Sequence, residues 1–120
     1  MPTYLFAYHG GMKPETPEEA EMTRAAWAAW FRAMGPAVID AGNAVGSSRT
    51  VRAGIVSNSG GANPVSGYSL IRAATLTAAI DHARGCPMVQ DRSGTIEVAE
   101  IIEIGSTLAG CVELGMAVEG

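Results

Sequence analysis

Residues 16–36 carry a complete set of helix-boundary signals, and they constrain the chain more than any other stretch. In Thr16-Pro17-Glu18-Glu19, the threonine can cap, proline suits the first helical position, and Glu19 completes a capping box. Glu18, Glu19 and Glu21 also lie near the positive end of the helix dipole. Gly35-Pro36 supplies a left-handed stop and blocks continuation, so the signals predict a helix ending at Met34. Trp27, Trp30, Phe31 and Met34 fall at i, i+3, i+4 and i+7, on one face. That face has to pack on a sheet or line a cleft against one. The tryptophan pair fits a core wall and equally a platform on which a flat apolar ligand stacks.

The flanking segments supply the sheet. Thr3–Tyr8 alternates Tyr4, Phe6 and Tyr8 with Leu5 and Ala7, which predicts a strand covered on both faces and closed by His9-Gly10-Gly11. The following HGGMKP lacks the Lys-Ser/Thr ending of a phosphate loop, so nucleotide binding is not expected there. Ala37–Ala41 and Arg49–Val56 read as strands, Asn58–Gly67 as turn material, and Tyr68–Ala73 as the next strand. Thr75 caps a second helix with Leu76, Ala79, Ile80 and Ala83 on one face, ended by Gly85-Cys86-Pro87. Thr95–Ile104 is the last strand, with Ile96, Val98, Glu100, Ile102 and Ile104 on its inner face. Glu100 breaks that apolar row, and a bulge would turn it outward. Residues 105–120 have weak periodicity and suit an edge strand, a swap onto a partner, or a frayed tail.

This order predicts an α+β fold, a β-α-β-β-α-β ferredoxin-like sandwich in one domain spanning residues 1–120. Helices cover one face of such a sheet, and the other face still carries apolar residues. A second copy covers it most simply, so a homodimer is expected.

Composition narrows the partners. The formal charge of −4 and seven scattered arginines with a single lysine speak against nucleic acid. No apolar run reaches the ~20 residues that span a bilayer, and the N-terminus lacks a signal-peptide pattern, so no membrane partner and a cytoplasmic location are expected. Cys86 and Cys111 form neither a disulfide framework nor a zinc motif; no metal and no cofactor are implied.

Several polar residues are candidates for chemistry, each with an ordinary structural alternative. His9 and Asp40 end the first two strands and can form an imidazole–carboxylate pair, the minimal general base; separately, His9 is a loop histidine and Asp40 an Asx-turn cap. Asn43 can position a polar group or close the strand-end turn. Arg49 can bind a ligand carboxylate or phosphate, or be a surface residue. Tyr68 can donate a hydrogen bond to a ligand or pack in the core. His82 sits on the polar side of the second helix.

The segments YLFAYHGG, ETPEEAE, AWAAWF, VIDAGNAVGSSRTV, GYSLIRAATLTAAIDHARGCP and GTIEVAEIIEI together resemble the YCII-related (DGPF-domain) family of small bacterial proteins, from Tyr4 to Ile104. The resemblance implies a dimeric α/β barrel with a cleft between the first helix and the sheet. Some relatives are thought to use a His-Asp pair there, one of them in dehydrochlorination of a hydroxylated aromatic. Asp40 matches the acid that follows the helix, whereas the family's helix histidine has no counterpart among Arg24, Trp27 and Trp30. The Asp-Gly-Pro-Phe motif is also missing, its loop reading SNSGGANPVSGY. The implied function is a small-molecule enzyme or ligand-binding protein, with His9 and Asp40 in acid–base chemistry (elimination, isomerisation or hydrolysis) and Trp27, Trp30, Asn43, Arg49 and Tyr68 binding a cyclic or aromatic compound. The alternative is a non-catalytic dimeric sensing module, since relatives are often found beside sigma factors.

Overall fold

The computed structural model describes residues 1–103. The elements are β1 (Thr3–Gly10), α1 (Pro17–Met34), β2 (Val38–Ala44), β3 (Thr50–Arg52), β4 (Ile55–Ser57), β5 (Val65–Arg72), α2 (Leu76–Arg84), α3 (Pro87–Gln90) and β6 (Gly94–Glu100). Four of the described strands form an antiparallel sheet in the order β2-β5-β1-β6, and β3 pairs with β4. Set the β3–β4 hairpin and the single turn of α3 aside, and the order is β-α-β-β-α-β in an α+β fold. The tail beyond residue 103, for which an edge strand or swap is expected, lies outside the described residues.

Local chemistry places the helices where the boundary signals put them. Thr16 Oγ1 accepts the Glu19 N–H at 3.1 Å, while Glu19 Oε2 reaches back to the N–H of Glu15 at 2.9 Å. The reciprocal half of the box therefore lands one residue before the cap. Gly35 takes φ +56° and donates its N–H to the last-turn carbonyls of Phe31 and Arg32. Thr75 caps α2 by accepting the Ala78 N–H at 3.1 Å.

The strands depart further from expectation. The stretch read as one strand from Arg49 to Val56 is a hairpin: Arg52 pairs with Ile55 around Ala53-Gly54, and Gly54 takes φ +78°. Its alternation was too short to distinguish a continuous strand from one folded at its glycine. β5 begins at Val65 rather than Tyr68, because Gly67 pairs with both Tyr8 and Ala44. A side chain there would press on Asn43 O and on the Tyr8 ring, so a turn-forming residue type serves close packing instead. β6 stops at Glu100, and Ile102 is exposed. Its register against β1 runs unbroken from Gly94 to Glu100, which sits opposite Tyr4 on the helix side of the sheet yet reaches solvent at the strand end. No bulge is needed to expose it.

The core lies between the helices and one face of the sheet. Tyr4, Phe6 and Tyr8 alternate inward beside Ser69 and Ile71, under Trp30, Met34, Ala79, Ala83, Cys86 and Met88. On the opposite face Leu5, Ala7, Tyr68 and Leu70 are half-buried, and none of the described helices covers them. Cys86 is fully buried at the α2–α3 junction, and desolvation pushes its thiol up to about 11, against partial relief from the backbone N–H groups of Met88 and Val89. The unfolded chain releases that proton first, from about pH 9. Stability is therefore expected to fall by roughly 2 kcal/mol as pH rises from about 9 through about 11. Urea denaturation checks it: Cys86→Ala should lessen the fall between about pH 9 and 10, below the range in which the Tyr8 phenol, also raised by burial, adds its own, and an unchanged slope there would contradict the assignment.

Candidate functional site

A cleft of about 650 Å³ opens between α1 and the sheet. Its helical wall is Met22, Thr23, Ala26, Trp27 and Phe31, in which Thr23, Trp27 and Phe31 follow one another at i+4 spacing. Its floor is Tyr8 and Gly10 at the end of β1 with Gly11 just beyond, His9 not lining it, and its far wall is formed by Ala41–Val45 of β2 and beyond, with Ser66–Tyr68 of β5. Met88, Asp91 and Ser93 close one end beside Met12 and Lys13.

The far wall owes its shape to an irregularity in β2. Asp40 opposes Leu70 and Asn43 opposes Tyr68, so three steps on β2 match two on β5. Gly42 accommodates the extra residue at φ +72°, and its N–H is held by Asp40 Oδ1 at 2.8 Å. A buried hydroxyl chain ties this wall to the floor: Tyr8 donates to Ser69 Oγ at 2.6 Å, and Ser69 donates to Ala41 O at 2.6 Å. Burial holds the Tyr8 phenol far above its ordinary pKa, only partly offset by the Ser69 bond, so Tyr8 stays a neutral donor.

The aromatic wall is rigid. Trp27 stands edge-on to Tyr8 with centroids 5.1 Å apart and leans on Phe31 at 6.0 Å. Trp30 lies behind it rather than in the cleft, stacked on Phe6 at 6.3 Å, with Nε1–H donating to His82 O at 2.9 Å. The two tryptophans thus divide the roles that the sequence left open for both.

Of the candidate binding residues, Trp27, Asn43 and Tyr68 line the cleft. Arg49 does not: it is exposed at the base of the hairpin, and Nη1 donates to Ser48 O at 3.2 Å and Asn58 O at 3.3 Å. The structure does not bring His9 and Asp40 together. His9 Nε2 is 3.1 Å from Glu97 Oε1 and Nδ1 is 3.0 Å from Asn63 O. His9 pairs with Val65 near one end of β5, and Asp40 with Leu70 near the other, on the strand beyond. Strand geometry puts the two roughly 19 Å apart. Asp40 serves the Gly42 turn, the structural alternative considered for it.

The sequence reading assigned no site role to Tyr8, Phe31, Lys13, Met12, Met22 or Asp91. The i+4 series from Thr23 through Phe31 was an available signal for the helical wall. Lys13 and Asp91 had none, because β-pairing joins their ends of the chain: Gly10 opposes Gly94, and Gly11 N donates to Ser93 O at 2.9 Å. Asp91 Oδ1 accepts the Ser93 N–H at 2.8 Å, and the hydroxyl and backbone N–H of Ser93 hold this exposed carboxyl below the usual range. Among the described residues no three His, Cys, Asp or Glu side chains are grouped to hold a metal ion, and no helix is long and apolar enough to cross a membrane. Comparison with known proteins found no matching family model and no significant match among curated proteins.

Proposed function

We propose that the protein binds a small cyclic or aromatic molecule in the cleft between α1 and the sheet. The observation that carries this reading is the cleft itself, about 650 Å³ with Tyr8, Trp27 and Phe31 as an aromatic wall and the irregular Ala41–Val45 segment opposite. That size and that mixture of apolar surface with few polar groups suit a small ligand. The separation of His9 from Asp40 favours binding over acid–base chemistry by that pair, and hence the sensing module over the enzyme. Membership of the YCII-related family and a ferredoxin-like unit are part of the proposal, supported by the strand order β2-β5-β1-β6. So is pairing with a second copy into a dimeric barrel, supported by the half-buried Leu5, Ala7, Tyr68 and Leu70 on the face that none of the described helices covers. Sedimentation equilibrium showing only monomer would remove that last element.

The binding reading is tested by NMR titration of labelled protein with indole and 2-phenylethanol at millimolar concentration. Shifts are expected at the Trp27 indole N–H and the Asn43 side-chain amide, with the Trp30 indole moving less. Shifts confined to the β3–β4 hairpin or the Glu97 face, or none at all, would sink it.

A further inference from the structure

Two opposite charges line the same end of the apolar cleft without neutralising each other. Lys13, the chain's single lysine, follows the Gly10-Gly11 turn, and Asp91 follows α3. The Gly11–Ser93 backbone bond holds these two segments side by side. Among the described residues the ion pairs are Arg24–Glu21 and Arg84–Asp81, and His9 hydrogen-bonds Glu97, so neither Lys13 nor Asp91 is engaged in such a contact. Asp91 is anchored by the Ser93 N–H through one oxygen, which orients the carboxylate and keeps it ionised. Lys13, which also lines the cleft, carries its charge on a flexible stem. Beyond this charged end, where Met12 and Met88 also lie, the cleft continues between Trp27, Phe31 and Tyr8, with the adaptable Met22 on its helical wall.

Resting on the binding reading above, we propose that the ligand class is an aromatic zwitterion, an α-amino acid with an aryl side chain or a larger conjugate of one. Its carboxylate pairs with Lys13, its ammonium with Asp91, and its ring packs against Trp27. A purely anionic ligand would meet the Asp91 carboxylate, and a purely cationic one the lysine. A neutral aromatic would leave both charges unused. Only a ligand carrying both signs at one end and an apolar group at the other complements everything that lines the cleft.

The test compares L-phenylalanine, 2-phenylethylamine, 3-phenylpropionate and 2-phenylethanol by NMR titration against wild type, Lys13→Met and Asp91→Asn. The asparagine keeps an oxygen for the Ser93 N–H, so the turn survives. L-Phenylalanine is expected to bind on the order of tenfold more tightly than 2-phenylethanol. Lys13→Met should bring it to the level of 2-phenylethylamine on wild type, and Asp91→Asn to that of 3-phenylpropionate. Equal affinity for the zwitterion and the neutral alcohol, or L-phenylalanine affinities that neither substitution changes, would overturn this inference and leave the binding reading standing. Failure of all four to bind would overturn both.

Discussion

Trp30→Ala is expected to lose about 3–5 kcal/mol of unfolding free energy, read as a lower urea midpoint. Trp30 is 7% exposed and touches three other rings besides Phe6, with centroids 5.0 Å away on Phe31, 5.5 Å on Trp27 and 6.4 Å on Tyr8. Truncation therefore opens a cavity at the centre of the aromatic cluster. It also removes the bond from Trp30 Nε1 to His82 O that ties α1 to the last turn of α2, leaving that carbonyl with the Gly85 N–H alone. Trp27→Ala offers the informative contrast. Its ring is half-buried at the cleft, so it should cost about 1–2 kcal/mol in stability and far more in ligand affinity. If Trp27→Ala proves as destabilising as Trp30→Ala, the division into a core tryptophan and a cleft tryptophan is wrong.

Gly42→Ala should be nearly as costly, on the order of 3 kcal/mol, for two separable reasons. At φ +72° an alanine carries the left-handed penalty of ~1–2 kcal/mol. The added Cβ would also overlap the Tyr68 carbonyl oxygen and lie 2.7 Å from its carbon, and this neighbour is backbone that cannot rotate away. The β2–β5 ladder has to part locally, and the far wall of the cleft moves with it. Gly35 offers a positive-φ position without a clash, at φ +56° and ψ −125° with nothing within 4 Å of the added atom. Gly35→Ala carries a backbone penalty alone and is expected to cost about 1–2 kcal/mol in the same urea titration. Equal losses at the two positions would mean that the close approach to Tyr68 contributes nothing.

These two sites also show how much could be read in advance. The Gly35 stop needed only its neighbours in sequence, Phe31 and Arg32, whose carbonyls it closes. The special role of Gly42 depends on Tyr68, which arrives through strand pairing from 26 residues away. The hairpin at Ala53-Gly54 and the early start of β5 were missed for the same kind of reason, because glycines and serines have turn chemistry locally and close-packing uses only in context.

What the sequence determined by itself was the pair of capped helices, the inward alternation of Tyr4, Phe6 and Tyr8, and the apolar stripe that must meet it. These follow from hydrogen bonds and side-chain periods that act within a few residues. The tertiary structure alone decided which tryptophan is buried and which faces the cleft, that His9 faces Glu97 rather than Asp40, and that Lys13 and Asp91 share one rim. Strand register brings together residues dozens of positions apart, and a one-residue bulge redirects them. No local pattern encodes the outcome of that pairing.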